Sequence, residues 1–217
     1  MITAVIGAGN VGFRLVCGLV SGGERVVIAT RNASQGRALA AELGQLAESA
    51  TVADAIGKAD VVIFAVWLDT IQDMLRRYAD VLPGKIVVDA SNPLAADGRG
   101  GFRRTLPEGE SSGQLLAGLV PAGARFVKAF GTLGAESLSA EAHREPQLAV
   151  LFYVTDDPDA EPTIERLITA AGFAPLKAGG IEASGRIEVG GDLHQFGGLG
   201  GRTVGLAEAK EALASVS

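Results

Sequence analysis

The chain opens with Met1-Ile2-Thr3-Ala4-Val5-Ile6-Gly7-Ala8-Gly9-Asn10-Val11-Gly12, an apolar run that leads directly into a glycine turn. A G-x-G-x-x-G spacing indicates a dinucleotide site when a strand precedes it and a helix follows, and residues 10–20 are compatible with a helix. The three glycines would allow a tight turn, the approach of a pyrophosphate and close helix packing, respectively. The pyrophosphate would bind the free amides at the helix N-terminus. The predicted cofactor-binding residues are Gly7, Gly9, Asn10, Val11 and Gly12, and the alternative is a glycine-rich turn in another α/β protein.

The residues after the second predicted strand, 24–29, indicate which dinucleotide binds. About 20 residues beyond the glycines, an NAD-binding protein usually places an acidic side chain for the ribose 2′-hydroxyl. This chain has Thr30, Arg31 and Asn32 there instead. A guanidinium pairs with a 2′-phosphate, whereas a carboxylate would repel it. We therefore predict that these three residues bind NADP(H) in preference to NAD(H), with a solvated surface charge as the alternative role of Arg31.

Length and composition limit the classes of protein to consider. A chain of 217 residues can bury a sizeable core, and 47% hydrophobic but only 5% aromatic content requires a core of small and branched aliphatic side chains. The net charge of −6 disfavours a nucleic-acid partner. The longest apolar run, residues 61–68, is too short for a membrane span. With a single cysteine and no basic leader, we expect a cytoplasmic protein without an intrachain disulfide or a metal site.

Strand and helix patterns alternate along the chain, which predicts βαβ units and a mostly parallel sheet with helices on both faces. Further strands are predicted over residues 60–66, 85–89, 124–130 and 148–154. Residues 95–110 are rich in Gly, Arg and Pro without a sustained period, so they are predicted to form a mobile surface loop. Beyond residue 176 the pattern weakens until a helix predicted over 203–214.

Ligands of an open parallel sheet bind beyond the carboxyl ends of its strands. The segments there are 65–67, 91–93 and 131–135, and none contains a nucleophile with its base or a metal cluster. Hydride transfer requires neither, because the protein mainly aligns the two reactants and excludes water. These segments therefore favour hydride transfer, with ordinary strand-to-helix turns as the alternative.

Several segments, in order along the chain, resemble the family of deazaflavin-dependent NADP oxidoreductases, whose relatives include the reductase domains of membrane metalloreductases. The glycine turn is one of them, and Asn92-Pro93-Leu94 and Val127-Lys128-Ala129-Phe130 are far more specific. The other matching segments are Thr30-Arg31-Asn32, Thr132-Leu133-Gly134-Ala135 and Ala178-Gly179-Gly180-Ile181-Glu182.

The resemblance implies a Rossmann-type doubly wound, mostly parallel sheet with a C-terminal extension that closes over the cofactor. The implied organisation is an NADP-binding domain over residues 1–140 and an extension over 141–217 on the substrate side. The implied electron partner is a deazaflavin (coenzyme F420) or a flavin. Trp67 follows a strand end beside the predicted cleft and is a candidate cofactor-binding residue, as a stacking platform, with a core or interface aromatic as its alternative role. The implied nicotinamide neighbours are Ala65, Val66, Ser91, Asn92, Thr132, Leu133 and Ala135.

The segment from Gly190 to Gly201 departs from the family pattern and contains His194. Because this segment is rich in glycine, we predict a mobile lid over the acceptor. A histidine there could donate a proton to the substrate, so His194 is the candidate catalytic residue, with a buried structural histidine as the alternative. Arg99, Arg103 and Arg104 are either solvated charges or a patch for an anionic substrate tail.

The leading hypothesis is an NADP(H)-dependent oxidoreductase that transfers hydride between NADPH and a deazaflavin or flavin. The second is an NADPH-dependent reductase of a small carbonyl or imine compound, and the third is a non-catalytic NADP(H) redox sensor. The expected partner is a small-molecule hydride acceptor, with no nucleic acid and no membrane. A homodimer is left open.

Overall fold

A computed structural model describes residues 1–215. The strands in this range are β1 (Thr3–Ile6), β2 (Val26–Ala29), β3 (Ala47–Ser49), β4 (Val61–Phe64), β5 (Ile86–Asp89), β6 (Leu94–Ala96), β7 (Phe102–Arg104), β8 (Arg125–Lys128), β9 (Val150–Val154) and β10 (Ala174–Gly179). The α-helices are α1 (Asn10–Ser21), α2 (Ala33–Leu43), α3 (Val52–Lys58), α4 (Leu68–Arg77), α5 (Ser112–Ala117), α6 (Ser137–Ala140), α7 (Glu161–Ala170) and α8 (Leu206–Ala214).

Eight strands form one sheet in the order β10-β9-β8-β5-β4-β1-β2-β3. The pairs from β8 to β3 are parallel, whereas β9 is antiparallel to β8 and parallel to β10. This arrangement confirms the predicted Rossmann-type, mostly parallel α/β fold. Because β1 lies between β2 and β4, the direction of winding reverses there, and the crevice outside these carboxyl ends is the expected ligand position.

The central strands are buried along their whole length because helices cover both faces of the sheet. Every residue of β1, β2, β4 and β5 is buried, and Val and Ile dominate these strands. On one face, Leu19 of α1 and Ile164 of α7 belong to one apolar cluster. On the other, Ile56 of α3 and Leu75 of α4 belong to a second.

Residues beyond 140 add β9 and β10 to the same sheet, and Ile164 and Leu167 of α7 pack in one cluster with Leu15 and Leu19 of α1. The chain therefore shares one core across the predicted boundary at residue 140. The division into a cofactor domain and an extension stays a prediction.

The structure differs from the sequence-based elements in several places. Residues 94–104 form the antiparallel hairpin β6–β7, most of which lies in the loop predicted over 95–110. Strand β10 was not predicted, because Pro175 and Lys177 interrupt its apolar pattern, and its edge position tolerates the proline. The predicted strand over 124–130 ends at Lys128, and Phe130 has a left-handed backbone with φ of 66°. The C-terminal helix begins at Leu206 rather than at residue 203.

No helix between residues 1 and 215 combines the length and the apolar composition needed to cross a membrane.

Candidate functional site

The glycine turn between β1 and α1 has the geometry of a dinucleotide cradle. Gly7 has φ of +102°, and a Cβ there would lie 2.5 Å from the carbonyl oxygen of Ala65. A Cβ on Gly12 would overlap the carbonyl oxygen of Gly7, so close packing of helix on turn requires a glycine. A Cβ on Gly9, in contrast, would meet nothing within 4 Å. Only the middle glycine therefore faces open space, on the side where a pyrophosphate would approach.

The N-terminus of α1 is available to an anion. Gly9 provides no side-chain cap, and the first turn has no acidic residue. The amides of Asn10, Val11 and Gly12 have no acceptor among residues 1–215. Because these amides and the helix dipole both favour negative charge, the predicted pyrophosphate position is electrostatically suitable.

The predicted 2′-phosphate residues lie between β2 and α2. Asn32 caps α2, because its Oδ1 accepts hydrogen bonds from the Ser34 amide at 3.1 Å and the Ser34 hydroxyl at 2.6 Å. The Thr30 hydroxyl donates to the Asn32 carbonyl at 2.6 Å. Arg31 is exposed and makes no hydrogen bond or ion pair with residues 1–215. Arg31 is therefore the charged side chain of the three that is free to bind a phosphate, and the Nδ2 donor of Asn32 also makes no hydrogen bond among residues 1–215.

A cavity of about 530 Å³ adjoins this corner and includes Thr30 and Arg37 in its lining. Ser49 and Thr51, at the end of β3, form its other side. The cavity lies at the carboxyl ends of β2 and β3, so it extends the cofactor edge of the sheet beyond Arg31.

The residues predicted to contact the nicotinamide follow three adjacent strands, β4, β5 and β8. Ala65 and Val66 are half-buried, and the indole of Trp67 is 49% exposed at the start of α4. The Leu133 side chain packs in the core, which leaves only its backbone for a ligand. Ala135 is half-buried in the turn before α6.

Two buried hydroxyl groups at these strand ends have no hydrogen-bond partner. The Ser91 Oγ and Thr132 Oγ1 atoms are unsatisfied among residues 1–215, and both residues are buried. Burying a hydroxyl without a partner costs free energy, so native proteins rarely leave one unpaired. A polar ligand group beside Ser91 and Thr132 would satisfy both.

The carbonyl oxygen of Gly131 organises the same region. It accepts hydrogen bonds from Asn92 Nδ2 at 2.8 Å and from the ring of His194 at 3.0 Å. The left-handed backbone of Phe130 precedes it, a conformation that bulky residues rarely adopt. Asn92 is thus engaged through its side chain, which holds the turn after β5 against the turn after β8.

His194 is buried, and both of its ring nitrogens are occupied. The amide of Phe196 donates to Nδ1 at 2.9 Å, so Nε2 carries the proton that is donated to Gly131. Burial, followed by the positive charge of Lys128, lowers the pKa of His194 to about 4. A neutral ring with both nitrogens hydrogen-bonded is poorly suited to the predicted role of proton donor, because protonation of Nδ1 would break the hydrogen bond from the Phe196 amide.

The segment from Gly190 to Gly201 is packed rather than open. Leu193 is buried, and a Cβ on Gly191, Gly197 or Gly198 would overlap neighbouring backbone atoms. The side-chain Oε1 of Gln195 accepts a hydrogen bond from the Gly134 amide at 2.8 Å. The backbone amide of Gln195 donates to the Thr132 carbonyl at 3.0 Å. The expectation of a mobile lid is therefore not supported, because these glycines allow close backbone packing.

A buried charge cluster beneath the strand ends was missed by the sequence analysis. Lys128 Nζ lies 2.6 Å from Asp89 Oδ2 and 3.5 Å from Glu188 Oε1, and the three side chains are each 1% exposed. Asp89 and Lys128 are register partners on β5 and β8. A charged residue within each of two buried strands, Val88-Asp89-Ala90 and Val127-Lys128-Ala129, was the available signal.

Three exposed aromatic rings surround the same edge. Trp67 and Phe102 have ring centroids 6.2 Å apart, and Phe102, on the β6–β7 hairpin, is 64% exposed. Phe196 is 59% exposed and lies against Gly134, where a Cβ would come within 2.7 Å of its ring. These rings lie above the ends of β4, β5 and β8.

Residues 2–93 match the family model described as NADP oxidoreductase, coenzyme F420-dependent. The F420-dependent NADP reductase of Methanothermobacter thermautotrophicus is 27% identical over 86% of this chain and 84% of its own length. Over residues 2–93 the chain therefore matches the family of F420-dependent NADP oxidoreductases, and it is similar to one such reductase over most of its length. Both similarities are to NADP-dependent oxidoreductases.

Two further proteins are similar to this chain. A hypothetical protein from Sinorhizobium meliloti has a crystal structure with a TM-score of 0.79 at 30% identity, covering 94% of this chain and 95% of that one. The metalloreductase STEAP3 of Rattus norvegicus is 30% identical over 85% of this chain. This chain spans only 35% of that metalloreductase's length.

Proposed function

We propose that this chain transfers hydride between NADPH and a deazaflavin or flavin at the carboxyl edge of its sheet. The observation that carries the proposal is the pair of buried, unsatisfied hydroxyls on Ser91 and Thr132. They lie at the ends of neighbouring strands, on the edge that also contains the open glycine turn. A carboxamide both donates and accepts hydrogen bonds, so the amide of a nicotinamide matches two hydroxyl groups.

Each part of an NADP molecule has suitable residues along this edge. The amides at the start of α1 would bind the pyrophosphate, and the free guanidinium of Arg31 would bind the 2′-phosphate. Ser91 and Thr132 would orient the nicotinamide, with Ala65 and Val66 at its side. The bound cofactor would supply a hydride, and the chain's own residues would align it and exclude water.

The exposed aromatic rings support a planar acceptor. Trp67 and Phe102 leave large apolar areas in solvent at the strand ends, and such patches mark binding sites. A flavin-type ring would cover them while it lies against the nicotinamide. Arg99 and Arg103 on the hairpin form no ion pair with residues 1–215, so they would be free to bind an anionic tail.

The geometry of His194 favours this acceptor over a small carbonyl or imine compound. Reduction of a carbonyl or imine needs a proton at the substrate as well as a hydride, and the buried His194 ring cannot donate one without losing a hydrogen bond. Hydride transfer between two stacked rings needs no protein acid at the moment of transfer. A redox sensor would share the NADP site but show no turnover.

The test is to mix the purified protein with NADPH and, in turn, coenzyme F420, FMN, FAD and riboflavin, and to follow the loss of nicotinamide absorbance. Turnover with at least one ring acceptor is expected. A protein that binds NADPH but reduces no ring acceptor, while reducing cyclic imines or ketones, would contradict the proposal. Binding without any turnover would favour the sensor.

Variants on the hairpin sharpen this test. Phe102→Ala should raise the KM for the acceptor several-fold while the Kd for NADPH stays unchanged, because Phe102 lies on the acceptor side only. Arg103→Ala should raise the KM for FMN but not for riboflavin, which lacks the phosphate. Val81→Ala, another exposed apolar position, is the matched control and should change neither constant.

A further inference from the structure

The buried cluster of Asp89, Lys128 and Glu188 contains two carboxylates and one ammonium group. Lys128 Nζ contacts Asp89 Oδ2 at 2.6 Å and Glu188 Oε1 at 3.5 Å. The three side chains are almost fully removed from solvent, so their charges are poorly screened. The formal charges leave one negative charge in excess.

Glu188 is held as a carboxylate by its neighbours. Its Oε1 accepts hydrogen bonds from the hydroxyls of Ser111 and Ser112 and from the amide of Gly113, at 2.8, 2.9 and 2.9 Å. Burial alone would raise the pKa of Glu188, but the charge of Lys128 and these three donors lower it below its usual value. Glu188 therefore carries a negative charge at neutral pH.

One carboxylate oxygen remains without a partner. Glu188 Oε2 is buried and accepts no hydrogen bond from residues 1–215, although an ionised oxygen in that position is costly to leave bare. Such an arrangement is suited to stabilising positive charge that develops nearby.

The cluster is attached directly to the proposed nicotinamide residues. Lys128 Nζ donates to the carbonyl oxygen of Ser91 at 3.0 Å, and Asp89 Oδ1 accepts from the Ser91 amide at 2.8 Å. Val189, which follows Glu188, donates its amide to Asn92 Oδ1 at 2.7 Å. The excess negative charge is therefore located directly beneath the turn that would hold the nicotinamide.

We propose that Glu188 favours the oxidised form of the bound cofactor, which makes bound NADPH a stronger hydride donor to the ring acceptor. When the hydride leaves with its two electrons, the neutral reduced nicotinamide becomes a cationic ring, and the acceptor gains the hydride. A buried negative charge lowers the free energy of the cationic ring but not of the neutral one. Glu188 is thus a positioning residue of the site with an electrostatic effect, and this role rests on the proposed function.

The test is the ratio of Kd for NADP⁺ to Kd for NADPH, measured by titration calorimetry on the full chain. Glu188→Gln preserves the shape and an acceptor oxygen but removes the charge. Its ratio should rise about ten-fold relative to the wild type, which is the effect of one charge about 12 Å away at an effective dielectric constant of about 20. A merely structural role would weaken both ligands equally and leave the ratio unchanged.

Glu182→Gln is the matched control, because Glu182 is an exposed carboxylate in the same Ile181–Ile187 turn that leads to Glu188. It should shift the ratio by less than about two-fold, since solvent screens an exposed charge. An unchanged ratio in folded Glu188→Gln would overturn the proposal. If that variant does not fold, the ratio is measured on the wild type alone. A wild-type Kd for NADP⁺ ten-fold or more above the Kd for NADPH would also overturn the proposal. Neither measurement needs an acceptor, so failure here is distinct from failure to reduce a flavin.

Discussion

The ring of His194 donates a hydrogen bond from Nε2 to the carbonyl oxygen of Gly131 at 3.0 Å, and Asn92 donates to the same oxygen at 2.8 Å. His194 is 63 residues from Gly131 along the chain, and Asn92 is 39 residues from it. The two bonds therefore join distant segments to one peptide group just beyond the end of β8. The turn that contains Thr132 is oriented by these two bonds. His194 and Asn92 therefore act on the site through Gly131.

The burial of His194 should make the stability of the fold depend on pH. Burial lowers the pKa of this ring from 6.5 to about 4, so between these values the unfolded chain binds a proton that the folded chain does not. The free energy of unfolding then rises with pH, and up to about 3 kcal/mol should be lost as the pH falls from about 7 to about 4. Urea denaturation across this range measures the loss.

His194→Gln should show a smaller decrease than the wild type over the same pH range, because it removes the titrating ring. His143→Gln, at the other histidine of the chain, is the control for removing an imidazole elsewhere in the fold. Parallel curves for the wild type and His194→Gln would show that His194 does not cause the decrease.

Removing the ring of His194 should affect turnover only moderately. His194→Ala loses the bond to Gly131 but no proton donor, so we expect kcat to fall less than about 10-fold, against about 10²- to 10⁴-fold for an acid catalyst. The Kd for NADPH should stay within about a factor of two. Steady-state kinetics with the best acceptor checks this. A fall of about 10²-fold or more that added imidazole restores would reinstate His194 as the proton donor.

Arg31 should decide the preference between the two dinucleotides. Its guanidinium is free among the described residues, and a charge-assisted bond to a 2′-phosphate is worth roughly 1.5–3 kcal/mol, which corresponds to about ten- to a hundred-fold in affinity. Arg31→Ala should remove most of the preference for NADPH over NADH in a calorimetric titration. Arg25→Ala, an exposed arginine at the opposite end of β2, should retain it. Equal wild-type affinities for both dinucleotides would rule out this role.

Gly9 and Gly12 should respond differently to the same substitution. Gly9→Val should fold normally and lose NADPH binding, because its side chain would enter only the open space reserved for the pyrophosphate. Gly12→Val should instead lower the thermal stability, because its side chain would overlap the Gly7 carbonyl. Circular dichroism with heating separates the two effects. Normal cofactor binding by folded Gly9→Val would assign a purely structural role to the turn.

The sequence by itself was sufficient to predict the sheet and to indicate the edge at which we propose that the cofactor binds. Local patterns were sufficient because buried parallel strands read as unbroken runs of Val and Ile, and because each glycine of the turn has its own steric requirement. Arg31 could be singled out because the motif specifies its distance from the turn. These features depend on neighbours that are close along the chain.

Only the tertiary structure decided the state of His194, the packing of residues 190–201 and the existence of the Asp89–Lys128–Glu188 cluster. A lone histidine in a glycine-rich segment is compatible with a mobile lid until its partners on Gly131 and Phe196 are known. Lys128 and Glu188 are far apart in the chain and meet because the strand register and the turn before Glu188 bring them together. Charge, burial and hydrogen-bond saturation arise from such distant contacts, which no local pattern in the sequence encodes.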